Sequence, residues 1–324
     1  MADPRPTPLD ALPPLPAAFA ELLDALLPAA WRDTVLASYT EPKTVVWRLN
    51  PLRGHDPAQV LPALAALAPR PIDAALGVYE VEPHWRSALT HHPLVEQGVI
   101  YIQGLASMAA VWALQPQPGE EVLDLAAAPG GKTALMAALM GNQGRIAAVE
   151  PVRARFHRMR ANLQRLGVRC AQPYLKDGTV VGRLVPQRFA RVLLDAPCSS
   201  QAQFTRLDPT SWQHWSPRKV RASAALQARL IHSAAEALRP GGVLVYSTCS
   251  LSPEENECIV DGLLRARDDM TLEPLPWPVE LPALPGLTAW HGQTLHPDLS
   301  LARRILPTRR TDAFFIARLR KRGA

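Results

Sequence analysis

The stretch Glu121-Val122-Leu123-Asp124-Leu125-Ala126-Ala127-Ala128-Pro129-Gly130-Gly131-Lys132-Thr133 decides the fold. Val122 to Leu125 read as a buried strand that runs into a loop with two glycines and then into a helix. Open α/β sheets build ligand sites this way, with a Gly-rich turn at a helix N-terminus beyond a strand end. The strand–helix alternation continues downstream. Helix 131–140 is followed by strand 145–149 and helix 152–166, whose Val152, Phe156, Met159, Leu163 and Leu166 share one face. Strand 168–174 leads to a loop with Asp177, and strand 190–194 leads to Asp195-Ala196-Pro197-Cys198. Helix 218–238 precedes strand 242–247, which ends in Ser247-Thr248-Cys249-Ser250 before helix 254–266. Residues 313–319 form a last apolar strand, after a Pro-rich stretch with little regular pattern. Repeated units of this kind predict a mostly parallel sheet with helices on both faces.

Upstream, residues 1 to about 16 read as a loose Pro-rich tail, and 19–36 as two short helices broken at Pro28. Thr44 to Asn50 alternate like a strand, 56–67 read as a helix, and 72–81 as a second strand. This gives a small α+β unit over residues 1–95 and a large α/β domain over 96–324. Ser107 to Leu114 form a helix at the start of the second.

With 324 residues, 48% hydrophobic and 20% charged, the chain is an ordinary globular one with room for a sizeable core. Its net charge of +6 permits a nucleic-acid partner without establishing one. Lysine occurs only at 43, 132, 176, 219 and 321, so the basic residues are almost all arginine, which suits phosphate contacts and base stacking. No run of 18 apolar residues and no signal-peptide pattern occurs, so no membrane association is expected. Cys170, Cys198, Cys249 and Cys258 lack disulfide or zinc-ligand spacing, so a reducing cytoplasm and no metal are expected.

Gly-Gly-Lys-Thr at 130–133 invites a phosphate-loop reading, which needs G-x-x-x-x-G-K-S/T. Ala126 stands where the first glycine must be, and Pro129 removes a backbone N–H from the cradle. A nucleoside cofactor lying over the strand end fits better. Gly130 and Gly131 admit close approach, and Glu150, nineteen residues after Gly131, ends the next strand where a carboxylate accepts ribose hydroxyls. Asp177 is placed for the adenine side, although a lone acid there is usually a helix cap. Cys198 and Cys249 each sit just past an apolar strand on the same edge. One such cysteine is commonly a small core residue. Two facing one ligand edge, each ahead of a helix whose dipole favours the thiolate, suggest chemistry. Cys170 and Cys258 read as structural.

LDLAAAPGGKT, LLDAPCSS, VYSTCSLSPEENE and TDAFFIARL, in this order, resemble the RsmB/Nop/Sun family of RNA (cytosine-5) methyltransferases. The resemblance covers roughly 40–320. Trp47-Arg48-Leu49-Asn50 resembles the family's RxN element, and Gln103 with Ser107 its pre-catalytic helix. The resemblance implies a class I methyltransferase sheet with an antiparallel last strand, an RNA-binding small domain, S-adenosylmethionine as cofactor, an rRNA or tRNA substrate, and a monomer. It implies Cys249 as nucleophile, Cys198 as the residue aiding product release, Asp195 on the cytosine ring, and Lys132 beside Asp195. It places Ala126, Ala127, Ala128, Pro129, Gly130, Gly131, Lys132, Glu150, Asp177 and Asp195 around the cofactor, with Arg155 a further candidate. Trp212, Trp215, Arg206, Arg218 and Arg221 offer planes for stacking bases, or a local core plug. Three residues depart from the family pattern: Ala126 for Cys, Ser200 for Gly, and Ala313 for Gly. Two other readings compete. One is an RNA-binding ribosome-assembly factor with a dispensable methyltransferase fold, which would not require Lys132, Asp195, Cys198 and Cys249 together. The other is a DNA or small-molecule methyltransferase, against which the order of DAPC before STCS argues.

Overall fold

A computed structural model describes residues 12–323. Two short helices come first, α1 (Ala17–Leu26) and α2 (Ala29–Ala37), parted at Pro28 as the sequence predicts. A small antiparallel sheet follows, in the order β2-β3-β1-β4: β1 (Val45–Leu49), β2 (Arg70–Asp73), β3 (Val78–Val81) and β4 (Ile100–Ile102). Residues 72–81 are thus a hairpin rather than one strand, since the backbone turns at Gly77, where φ is +66°. The helix expected over 56–67 is only α3 (Pro57–Val60), because Pro62 cannot continue it and a 3₁₀ segment takes over. Helices α4 (Arg86–Thr90) and α5 (Pro93–Glu96) lead into β4, which pairs with β1, so the small sheet draws its fourth strand from beyond residue 95.

Helix α6 (Leu105–Leu114) is apolar on every side and buried almost throughout, as a core helix must be. The large sheet has β5 (Glu121–Asp124) as the middle one of five parallel strands. It includes β6 (Arg145–Val149), β7 (Ala171–Tyr174), β8 (Phe189–Asp195), β9 (Leu238–Thr248), β10 (Met270–Glu273) and β11 (Ala283–Pro285). A two-residue hairpin, β12 (Ala289–Trp290) and β13 (Gln293–Thr294), stands apart. β14 (Arg303–Ile305) and β15 (Phe314–Lys321) complete the sheet. Its order is β11-β14-β15-β9-β8-β5-β6-β7, with β10 also on β15. The strands β7, β6, β5, β8 and β9 run parallel, and β15 returns antiparallel to β9. This is the class I methyltransferase arrangement that the sequence leads one to expect. The order reverses between β5 and β8, and ligands bind beyond the carboxyl ends of strands at such a switch point.

The strands read as continuous apolar runs because both faces are covered. Leu123, Val192 and Leu244 pack under α10 (Pro217–Ala237) and α11 (Glu257–Ala266). Their neighbours Val122, Leu193 and Val245 pack under α6 and α7 (Gly131–Leu139) on the other face. Helix α8 (Arg153–Arg165) follows β6, and the short α9 (Val181–Leu184) follows β7. α10 starts at Ser216, whose hydroxyl accepts the Lys219 N–H, with Pro217 at its first position.

Helices α1 and α2 do not join the small sheet. Phe19, Leu23, Val35 and Tyr39 form a cluster with Ala202, Phe204, Leu251 and Ala313 of the large domain. The Phe19 ring meets Phe204 edge-on at 4.8 Å and Trp215 at 5.9 Å, and Phe204 meets Trp212 at 6.0 Å. Trp212 and Trp215 are therefore a core plug for the loop after Cys198 rather than open stacking planes. Residues 12–16 are also less loose than their prolines suggest, because Arg206 donates to the carbonyls of Leu12 and Pro13 at 2.7 and 2.8 Å. The rest of the expected tail, 1–11, lies outside the described residues. Phe19 is fully buried. Phe19→Ala is expected to lower unfolding stability by about 3–5 kcal/mol, read by chemical denaturation.

Candidate functional site

The site is built by the parallel pairing of β8 and β9, which sets Asp195 opposite Ser247. The Ser247 hydroxyl donates to Asp195 Oδ1 at 2.9 Å, and Lys132 Nζ donates to Asp195 Oδ2 at 2.6 Å. Both carboxylate oxygens are thus engaged. Lys132 stands in the first turn of α7 and faces the Phe314 ring at 5.4 Å. Three residues past Asp195 and two past Ser247, the Cys198 and Cys249 sulfurs lie 3.0 Å apart. Both side chains are partly exposed, so a substrate can reach them.

The electrostatics divide the two thiols. The hydrogen bond between the two sulfurs lowers the Cys249 pKa, helped by Ser200 and Lys132 against burial and the Asp195 charge. The same hydrogen bond, burial, and the charges of Cys249 and Glu255 hold Cys198 well above the usual thiol value. The sequence points instead to helix dipoles. That source is corrected by the structure: only 3₁₀ turns, Gln201–Gln203 and Pro253–Glu255, follow the two cysteines directly. Burial alone would push the Lys132 ammonium down, but the Asp195 charge and hydrogen bond outweigh it and raise it.

Beyond the β5 end lies a cavity of about 220 Å³. Ala126, Ala127, Ala128, Pro129, Gly131, Lys132 and Asp195 line it, opposite Tyr101, Gln103 and Ser107. Gly130 has φ +99°, and a Cβ on Gly131 would lie 2.8 Å from the Tyr101 ring. The loop therefore needs its glycines to keep this space. Glu150 directly follows β6 and is buried, with Oε1 accepting the Val152 N–H at 2.9 Å and Oε2 3.6 Å from Arg155. Arg155 also donates to the Ala128 carbonyl, fixing the loop's outer side. These features suit a nucleoside cofactor: a glycine-cleared floor, a cavity beside a strand end, and a buried carboxylate at the next strand end. Asp177 is exposed and caps Thr179, outside this cavity. Among the described residues no group of three or more His, Cys, Asp or Glu has metal-ligand geometry, and no helix is long and apolar enough to cross a membrane.

The sequence reading assigns no role of their own to three groups that the structure brings to the site. Asp124, a lone acid inside an apolar strand, lines the cavity and accepts from the Thr133 hydroxyl at 2.6 Å. Burial pushes its carboxyl up to about 7, against the pull of Thr133 and Lys132. Arg48 is buried with Gln103 Oε1 at 2.9 Å and the Tyr101 ring at 5.4 Å, so the small sheet braces one cavity wall. Glu255, within the SPEENE run, touches both cysteine loops. The departures also take on physical form. Ser200 sits at φ +62°, the left-handed region that glycine enters freely and a serine enters at a cost of roughly 1–2 kcal/mol. Ala313 is fully buried against the α1–α2 cluster, where its methyl group fills space.

A family profile, 16S rRNA methyltransferase RsmB/F, matches residues 111–320. The chain belongs to the RsmB/F methyltransferase family. Among its relatives, a ribosomal RNA small subunit methyltransferase F of Serratia proteamaculans (strain 568) is 43% identical over 227 residues, 69% of this chain and 45% of that protein. A tRNA (cytosine(49)-C(5))-methyltransferase of Pyrococcus abyssi (strain GE5 / Orsay) is 43% identical over 225 residues, 69% of this chain and 71% of that protein. The chain spans about half the length of the bacterial relatives it matches. A solved structure of a methyltransferase homolog protein from Pyrococcus horikoshii superimposes with a TM-score of 0.74 at 32% identity, covering 95% of this chain and 100% of that one.

Asp124 supplies a pH signature. Its ordinary carboxyl value is 3.8, and the folded value is about 7. Folding thus favours the protonated acid, so the contribution is present below pH 4 and is lost as pH rises towards 7. At about 1.4 kcal/mol per pH unit the loss is at most about 4 kcal/mol. Asp124→Asn is expected to flatten the fall in unfolding stability between pH 4 and 7, measured by denaturation across that range.

Proposed function

We propose that the chain transfers a methyl group from S-adenosylmethionine to carbon 5 of a cytosine in RNA. The observation that carries this reading is the pair of sulfurs 3.0 Å apart beside the Lys132–Asp195 ion pair. A cofactor fold alone needs no such pair. Carbon 5 of cytosine is a poor nucleophile until a thiolate adds to carbon 6. Cys249 is the thiol whose surroundings favour the thiolate, and it takes that role. Its sulfur bonds to carbon 6, and the ring's double-bond electrons then serve carbon 5. Asp195, held by Lys132 and Ser247, contacts the ring edge. S-adenosylmethionine supplies the methyl group when bound. Ala126 to Lys132, Glu150 and Asp195 are assigned to hold it, with Arg155 and Asp177 further out. After transfer, the proton on carbon 5 passes to water and the carbon–sulfur bond breaks. Cys198 donates its hydrogen bond to the departing Cys249 thiolate and so eases release.

The target base must leave its stack, at a cost of a few kcal/mol, which favours an unpaired cytosine in rRNA or tRNA. Helix α8 is the strongest electrostatic support for an RNA partner. It carries Arg153, Arg155, Arg158, Arg160 and Arg165 with no acidic residue. Among these, Arg153, Arg158 and Arg160 are exposed and have no ion pair among the described residues. Tracks of this kind neutralise phosphates, and the counterions released favour binding at low salt.

Methyl transfer to RNA is measured with labelled S-adenosylmethionine. Cys249→Ala is expected to lose at least 10³-fold in rate, and Cys198→Ala to accumulate a denaturation-resistant protein–RNA adduct. Full transfer by Cys249→Ala would overturn the nucleophile assignment. Replacing Arg153, Arg158 and Arg160 together with Glu is expected to weaken RNA binding and to flatten the salt dependence by about 0.7–0.9 per lost phosphate contact. An unchanged salt slope, read by titration at several salt concentrations, would remove α8 from the interface.

A further inference from the structure

The two cysteine loops are joined from behind by a buried carboxylate. Glu255 is fully buried in the turn before α11. Its Oε1 accepts the Ser199 N–H at 2.9 Å and the Gln227 side-chain amide at 3.1 Å. Its Oε2 accepts the Ser250 hydroxyl at 2.6 Å and the Ser199 hydroxyl. Ser199 follows Cys198, and Ser250 follows Cys249. One carboxylate therefore grips the residue after each reactive thiol. Gln227 also donates to the Pro197 carbonyl at 2.9 Å, and Gln201 Oε1 accepts the Leu251 N–H at 2.7 Å, so the clamp extends along both loops. Every one of these partners is neutral. Among the described residues Glu255 has no ion pair, although a buried carboxylate is expensive to keep and a neutral clamp would serve packing more cheaply.

We propose that Glu255 is a positioning residue that holds both cysteine loops at reacting distance and sets its charge behind Cys198, so that Cys249 is the thiol that reacts. The inference rests on the reading of Cys249 as nucleophile for its catalytic meaning, but not for its test. The groups facing the sulfurs are Glu255, Asp195, Lys132, Tyr246 and Ser200. Asp195 and Lys132 form an ion pair. Tyr246 donates its hydroxyl to the Glu255 carbonyl at 2.5 Å. After the Cys249 hydrogen bond, burial and the Cys249 charge, the Glu255 charge adds to the cost of a thiolate at Cys198, which lies 3.0 Å from the Cys249 sulfur. A carboxylate at 255 thus does what an amide cannot: it makes two similar thiols unequal.

The test needs no RNA. The full chain is alkylated with iodoacetamide between pH 7 and 9, and labelling at Cys198 and Cys249 is counted by peptide mass spectrometry, with Cys170 and Cys258 as internal references. The wild type is expected to label Cys249 at least tenfold faster than Cys198. Glu255→Gln keeps the shape and removes the charge, and is expected to cut that preference at least fivefold. Glu255→Asp keeps the charge and is expected to stay closer to wild type than to Glu255→Gln. A preference unchanged in Glu255→Gln would overturn the proposal, as would a wild type that labels Cys198 first. Should Glu255→Gln fail to fold, Ser250→Ala removes the Ser250 arm of the clamp and Ser199→Ala removes one of the two Ser199 hydrogen bonds, and an unchanged ratio in both overturns it equally. A chain that labels as expected yet methylates no RNA would sink the proposed function and leave this inference standing.

Discussion

The register in which β8 lies against β9 is the constraint on which the rest depends. Parallel pairing of Asp195 with Ser247 puts two strand ends side by side, and the residues just past them inherit that alignment. A slip of one residue would turn the inward side chains of one strand to the opposite face. It would also part the sulfurs and break the Ser247 hydrogen bond to Asp195. The register is protected because both faces of both strands are buried, so any slip would bring Val192, Leu193, Leu244 and Val245 out of their packing.

Polar groups at the site are held by other protein groups. Asp195, Glu255, Asn256 and Gln201 each meet several donors or acceptors, and three of them are fully buried. Such a network is costly if any member is missing and rigid when it is complete. Rigidity serves the proposed reaction, in which sulfur, ring and methyl donor must align within fractions of an ångström. Asp124 is the exception. It sits at the cavity under the strain of burial with one hydroxyl close by, so this is where the site's stability responds to pH.

Much of the architecture could be read directly from sequence because its signals are local. Apolar runs of four to seven residues, each ended by a loop and a helix, gave the parallel sheet, and Pro28 divided α1 from α2. Lys132 and Asp195 were paired on the strength of family resemblance, and they stand 2.6 Å apart. What could not be read was long-range. Nothing near Phe19 announces Phe204, and nothing in the spacing of Trp212 and Trp215 distinguishes a plug from a platform. The lowered Cys249 pKa is long-range too: it comes from a neighbour on another loop, not from the helix that follows in sequence. Glu255 lay within a quoted motif, yet its contacts depend on two loops meeting.

The docking of α1 against Ala313 has a consequence for the order in which the molecule is made. Phe19 and Ala313 belong to one cluster, although nearly the whole chain lies between them. Closing contacts of such separation is slow, and during synthesis it must wait for the far end to emerge. The apolar face of the first helices meets Phe204 and Leu251 earlier, but its cluster is complete only once Ala313 has been added. Phe314, which faces Lys132, arrives in the same final stretch. The edge of β9 stays open until then, so the nascent chain carries Cys198 and Cys249 on an unfinished sheet, and the last few dozen residues close the core and the site together.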